Sequence, residues 1–244
     1  METNFRIITP TYNCEKWIGK CIESVKKQSV AGYTQIFVDD GSTDNTVDII
    51  EKSIKYNSRF KLVKKEFRMG VMHSHVTGAE LLLREANDED IVVHLDGDDW
   101  FKNEMTLEKI RSVYEAKDCW ATYGNYSTTD GSPSVCRKKV PERSYREHIR
   151  IGWCFSHTRT FKKFLWDKIL VKSLLDSNGV MFSSACDVAL FCPALEMAGD
   201  RVEFINEIGY VYNRDNPLNE DKDHLEDQVR CALEIAAQKP YEAL

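Results

Sequence analysis

The feature that most constrains this chain is a rhythm. Four short apolar runs open at about Phe5, Thr34, Phe60 and Asp90, in steps of roughly 29, 26 and 30 residues. Each step holds one helix and two turns, the repeat of a strand–helix–strand unit. The intervening segments fit. Glu15–Gln28 puts Trp17, Ile18, Cys21, Ile22 and Val25 on one helical face. Thr43–Tyr56 carries the stripe Val47, Ile50 and Ile54, with Ser42 or Asp44 able to cap its start. Further helices fit Val71–Ala86 and, after Asn103 as a cap, Met105–Ala116. The fourth run, Ile91-Val92-Val93-His94-Leu95, is apolar without alternation, as a strand is when helices cover both of its faces. The expected class is α/β: a single Rossmann-like, mostly parallel sheet flanked by helices.

Beyond Cys119 the rhythm loosens. The pattern predicts a strand over Trp120–Asn125, a turn-rich stretch from Ser127 to Pro133, and helices over Phe161–Leu175 and Asp187–Ala198. Short strands at Val202–Ile205 and Tyr210–Tyr212 follow, then a helix over His224–Gln238. No internal repeat and no low-complexity linker interrupts the chain. The expectation is one domain over 1–244, with a regular half, 1–105, and a looser half, 106–244. A chain of 244 residues buries enough surface to fold without disulfides or metal staples. Its eight cysteines contain no C-x-x-C pair, which argues against zinc ribbons and thioredoxin-like sites and suits a reduced, cytoplasmic protein. The start lacks a basic n-region, and no apolar run reaches the roughly 18 residues of a membrane span.

Open parallel sheets bind ligands beyond the carboxyl ends of their strands. Three such ends here are polar: Thr9-Pro10-Thr11-Tyr12-Asn13, Asp39-Asp40-Gly41-Ser42 and Asp96-Gly97-Asp98-Asp99. Three carboxylates within four positions repel one another, by about 4 kcal/mol per pair at about 4 Å and an effective dielectric near 20. A divalent cation offsets that repulsion, and oxygen-only ligands select Mg²⁺ or Mn²⁺ over zinc. Such an ion in turn binds phosphate oxygens, which suggests a nucleotide diphosphate.

These three motifs, in this order and at this spacing, make the sequence resemble the family 2 inverting glycosyltransferases of GT-A fold, closely over residues 5–105 and more loosely over 106–215. The resemblance implies a nucleotide-sugar-binding half, 1–105, and an acceptor-binding and catalytic-base half, 106–244. It implies that Tyr12 lies against the base, that Thr9, Pro10, Thr11 and Asn13 line the same pocket with Gly41, and that Asp40 accepts a hydrogen bond from a base ring nitrogen, which favours uracil. Asp96, with Gly97 beside it, would contact ribose and metal, and Asp98 would ligate the metal bridging the diphosphate; Asp99 is a further candidate toward the diphosphate. The catalytic base of the family sits in a Glu-Asp pair opening a helix about ninety residues later. Here Asp187 fits, with Cys186 in place of the glutamate. Inverting transfer needs that base to take a proton from the acceptor hydroxyl.

Further departures are visible. Relatives commonly carry Arg-Asn where this chain has His75-Val76, so His75 is a candidate for contacting base or phosphate, with a packed or solvated histidine as the plain alternative. His94, inside a strand, reads as a satisfied core residue. His224 is a candidate metal ligand and Arg214 a candidate partner of the diphosphate. The Gln-x-x-Arg-Trp signature of processive synthases is absent, which favours transfer of a single sugar.

Net charge is −6, but residues 137–172 hold 11 Lys or Arg and 3 acids, net +8, leaving −14 for the rest. Arg137, Lys138, Lys139, Arg143, Arg146 and Arg150 open this stretch, and Trp153, Phe155 and Trp166 interleave it. A solvated face explains it; so does a site for an anionic acceptor or a place near lipid phosphates. The expected partners are therefore a nucleotide-sugar donor and a glycan, lipid-linked or other hydroxyl acceptor, with location cytoplasmic or peripheral to a membrane. The competing classes are a haloacid-dehalogenase-type phosphatase, which expects Asp-x-Asp-Gly-Thr near the first strand, a sugar nucleotidyltransferase, which expects a Gly-rich, Arg-containing loop there, and a non-catalytic nucleotide-sugar-binding protein. A dehydrogenase lacks its Gly-x-Gly-x-x-Gly turn.

Overall fold

The computed structural model describes residues 3–132, 149–150, 153–219, 222 and 225–244. Strands β1 (Phe5–Thr11), β2 (Tyr33–Asp39), β3 (Phe60–Lys64) and β4 (Ile91–His94) form a parallel block in the order β3-β2-β1-β4. Helices α1 (Ile18–Lys26), α2 (Thr46–Ile54) and α3 (Val71–Leu82) connect them. Alternation along each strand feeds two cores. Ile8, Ile36, Val38 and Val92 face one layer of helices, while Ile7, Phe37, Ile91 and Val93 face the other. Helix α3 lies tight against β1 because residue 78 is glycine. A Cβ there would come 2.7 Å from Ile8 Cγ2 and 3.3 Å from Val38 Cγ2.

The second half continues the same sheet. Strand β5 (Trp100–Phe101), helix α4 (Thr106–Lys117), β6 (Ala121–Thr128), β7 (Thr160–Lys162), the single-turn α5 (Lys163–Trp166), a 3₁₀ turn (Val171–Leu174), α6 (Cys186–Ala198), β8 (Val202–Tyr212) and α7 (Leu225–Ala237) complete the described chain. The eight-stranded order is β3-β2-β1-β4-β7-β6-β8-β5. Strand β7 runs antiparallel to both β4 and β6, β6 and β8 pair in parallel, and β5 pairs antiparallel to β8. Helix α6 is buried along nearly its whole length and is the spine of this half.

Two predicted elements are corrected. The helix expected over Phe161–Leu175 begins instead as strand β7, with Phe161 fully buried opposite Val92 and Ala121. The unpaired edge of β4 needs a partner, and pairing there overrides the local helical pattern. The two short strands expected at Val202–Ile205 and Tyr210–Tyr212 are one strand, with a bulge where its register shifts opposite Gly124, Asn125 and Tyr126. The two-residue strand β5 was not expected at all.

Candidate active site

A cleft of about 480 Å³ opens beyond the carboxyl ends of β1, β2 and β4. At one end the ring of Tyr12 lies under the guanidinium of Arg68, 4.3 Å from its centroid. Next to it, Asp40 Oδ1 accepts from the Met69 amide (3.0 Å) and from Lys65 Nζ (3.1 Å), and Oδ2 accepts from the Gly70 amide (2.8 Å). Burial pushes the Asp40 carboxyl up, but the two amides and the ammonium outweigh it, leaving it below its usual value. The loop that supplies these donors folds over Gly41, whose φ of +77° and lack of a side chain both matter. A Cβ there would sit 2.9 Å from the Phe67 carbonyl carbon.

Other residues expected in this pocket divide. Pro10, Thr11 and Tyr12 line the cleft. Thr9 does not: it is fully buried and its Oγ1 accepts from Gln35 Nε2 at 2.8 Å, inside the sheet. Asn13 braces the rim rather than lining it. Its Oδ1 accepts from the Thr43 amide (2.8 Å) and its own amide donates to Ser42 Oγ (2.9 Å).

The Asp96–Asp99 turn packs onto β1 through Gly97, where a Cβ would meet Thr11 Cγ2 at 2.6 Å and the Pro10 carbonyl at 3.0 Å. Asp96 and Asp98 line the cleft. Burial raises Asp98, whose Oδ2 accepts from Asn216 Nδ2 at 2.7 Å. Asp99 points the other way, which corrects its expected role toward the diphosphate. It is fully buried and accepts from the Tyr210 hydroxyl and the Asn213 amide, both at 2.7 Å, so it anchors the end of β8. Burial, then the charges of Asp98 and Asp96, push its carboxyl well up. Among the described residues no three His, Cys, Asp or Glu side chains gather into a ready metal site. Asp96 and Asp98, two carboxylates lining the same cleft, nevertheless fit a hard divalent ion that completes its shell with phosphate oxygens and water.

Across the cleft, Asp187 stands at the start of α6, its Oδ1 accepting from the Val188 amide at 2.8 Å and its Oδ2 from Arg159 Nη1 at 2.8 Å. Cys186 turns its thiol to the Phe182 carbonyl. On the cleft wall between the two ends, His75 and His94 meet Nδ1 to Nδ1 at 2.9 Å. Burial holds both neutral, each depressed well below the usual imidazole range, His94 to about 3. His94 is not the satisfied core residue expected, because its buried Nε2 has no hydrogen-bond partner.

Arg214 lies on the rim of the cleft, its Nε 3.1 Å from Asp130 Oδ2. His224 lies outside the described residues, as do Arg137, Lys138, Lys139, Arg143 and Arg146 of the basic segment. Arg150, the sixth, is no acceptor ligand: it is buried, doubly bonded to Glu196 at 2.6 and 2.8 Å and bonded to the Ile235 carbonyl. Lys162 pairs with Glu89, and Lys163 with Asp88 and Asp167. Trp153 does line the cleft, edge-on to Phe191. Sequence reasoning missed Arg68, His157, Arg159 and Asn216. In the sequence Arg159 is one charge of the basic segment ahead of a helical pattern, and only the pairing of β7 with β4 and β6 brings it to the cleft.

Comparison with known proteins adds to this geometry. A family model described as Glycosyl transferase family 2 matches residues 6–186. The glycosyltransferase GlyG of Streptococcus pneumoniae is 26% identical over 228 residues, covering 88% of this chain and 72% of that protein. The Escherichia coli protein WfgD, named as a UDP-Glc:alpha-D-GlcNAc-diphosphoundecaprenol beta-1,3-glucosyltransferase, is 31% identical over 139 residues, 56% of this chain and 51% of that one. The crystal structure of S. aureus TarS 1–349 with UDP-GlcNAc superposes with a TM-score of 0.72 at 22% identity, over 98% of this chain and 68% of that chain. The mannosyltransferase PcManGT of Pyrobaculum calidifontis, in complex with GDP-Man and Mn²⁺, gives 0.59 at 20% identity, over 87% and 57%. At these identities the structural likeness establishes a shared GT-A fold.

Proposed function

This chain belongs to glycosyl transferase family 2, and on that premise we propose that it transfers one sugar from a UDP-linked donor to an acceptor hydroxyl, with inversion and with the help of Mn²⁺ or Mg²⁺. One observation carries the reading: Tyr12 with Asp40, Asp96 with Asp98, and Asp187 all line one cleft. The phosphatase alternative falls with the family assignment.

In this reading the uracil lies against Tyr12, with Arg68 on the ring's other side, and a ring N–H donates to Asp40. That carboxylate, fixed by three donors and kept ionised, is a ready acceptor. Asp96 and Asp98 would hold the divalent ion, which when bound supplies positive charge to the departing diphosphate. Asp187 takes the proton of the acceptor hydroxyl as its oxygen bonds to the anomeric carbon, and the bond to the diphosphate oxygen breaks with its electron pair leaving on phosphate. Attack from the face opposite the leaving group gives inversion. The acceptor is a glycan, lipid-linked or other hydroxyl compound, an anionic one included, and the reaction is cytoplasmic, at the membrane surface where the acceptor carries lipid. Among the described residues no helix is long and apolar enough to cross a membrane.

The test is a screen of nucleotide sugars with Mn²⁺ for donor hydrolysis, with chelator as control. We expect metal-dependent release of UDP from at least one UDP-sugar, and transfer lost in Asp187→Asn while donor binding persists. No binding or turnover of any nucleotide sugar with metal present overturns the reading. Intact transfer in Asp187→Asn removes the base.

A further inference from the structure

Asp187 stands half exposed at a helix start, a position where a short side chain alone does not hold one orientation. The structure supplies a holder. Arg159 is buried and immediately precedes β7, whose backbone is paired on both sides, to β4 and to β6. Its Nη1 donates to Asp187 Oδ2 at 2.8 Å, and its Nη2 lies 3.2 and 3.3 Å from the two ring nitrogens of His157. The His157 ring stacks on Tyr210 at 4.2 Å, and the Tyr210 hydroxyl donates to Asp99. Burial, then the guanidinium itself, keep His157 neutral, so one ring nitrogen remains an acceptor for Arg159. A continuous line of contacts thus runs from the carboxylate at the head of α6 to the turn that carries Asp96 and Asp98.

We propose that Arg159 is a positioning residue for the catalytic base. It fixes Asp187 Oδ2 while the Val188 amide fixes Oδ1, so that the carboxylate keeps one orientation in the cleft it lines. The guanidinium acts through the carboxylate and not on the donor. The inference rests on Asp187 being the base, and the experiment separates the two ideas.

Four variants of the full chain are compared with wild type: Arg159→Ala, Arg159→Lys, Asp187→Asn and the double variant Arg159→Ala/Asp187→Asn. Transfer kcat, donor KM and UDP affinity by calorimetry are measured for each. Arg159→Ala should lower kcat by about 100-fold, the size of effect that about 1 Å of misplacement produces, with KM and UDP affinity within about twofold. Arg159→Lys should recover about tenfold of that loss, and free guanidinium below about 0.1 M should partly rescue Arg159→Ala, since both return a cationic donor to Asp187. In the Asp187→Asn background, removing Arg159 should cost less than about twofold more, because residues acting through one another do not multiply. Multiplying effects in the double variant, or a raised KM at unchanged kcat, overturn the positioning role and leave the base assignment standing. Unimpaired transfer in Asp187→Asn overturns the base assignment itself and this inference with it. Should Arg159→Ala fail to bind UDP through loss of fold, Arg159→Lys carries the same comparison with Asp187→Asn.

Discussion

Replacing His94 with leucine tests how the cleft wall is kept neutral. His94 pairs through Nδ1 with His75, its Nε2 is buried without a partner, and burial with the nearby Arg159 charge holds its pKa down at about 3. An unfolded chain takes a proton on this residue below about pH 6.5, while the folded chain does not until about pH 3. Stability attached to His94 is therefore whole above pH 6.5 and is lost as pH falls through that window. Taking those two values, the loss between pH 7 and pH 5 is about 2 kcal/mol. Leucine cannot titrate, so the penalty of His94→Leu should shrink by about that amount on going from pH 7 to pH 5. The raised carboxyls of Asp98 and Asp99 push the pH dependence the other way, but they are present in both proteins and cancel in the difference. Urea unfolding of both proteins at the two pH values, with equal slopes, reads the difference. A penalty that stays the same within about 0.5 kcal/mol would refute a histidine held neutral by its surroundings.

Other consequences are equally direct. Asp40→Asn turns an amide N–H₂ toward donors that now meet a carboxylate, so it should cost about 2–4 kcal/mol in denaturant stability and weaken UDP binding at least about tenfold by calorimetry. Mn²⁺ with UDP at about 100 times the Kd should stabilise wild type by about 2.7 kcal/mol, and Asp98→Asn should abolish the Mn²⁺-dependent part of the melting shift. Glu196→Gln leaves the buried Arg150 without its charge partner, and should lower stability by about 3 kcal/mol with little sensitivity to salt. Gly78→Ala drives a methyl against Ile8 and should cost about 1–3 kcal/mol, read as a lower urea midpoint.

What was readable in the chain followed from burial. Strands such as Ile91–His94 are covered on both faces and announce themselves as unbroken apolar runs, and the helices between them carry single apolar stripes. Asp98 and Asp99, by contrast, are adjacent and chemically identical. Which one meets the cleft depends on Tyr210, more than a hundred residues away, whose hydroxyl draws Asp99 into the core. Phe161 looked helical because its neighbours are apolar at helical spacing, and only the free edge of β4 makes a strand of it. Arg159 and Arg150 counted equally toward a basic segment, yet each is buried against one acid supplied by α6. Pairings across such distances leave no periodic trace.

The short strand β7 has a consequence for modularity. Thr160–Lys162 lies by sequence in the looser stretch 106–244, yet it is the segment that covers the open edge of β4 in the regular stretch 1–105. A fragment cut after the Asp96–Asp99 turn would present Ile91, Val92 and Val93 on an uncovered edge, a template for aggregation. Chimeras that exchange residues 106–244 at that boundary therefore also exchange the strand that closes the seam of residues 1–105. A productive swap keeps residues 160–162 with β4 and exchanges only what lies outside the shared sheet.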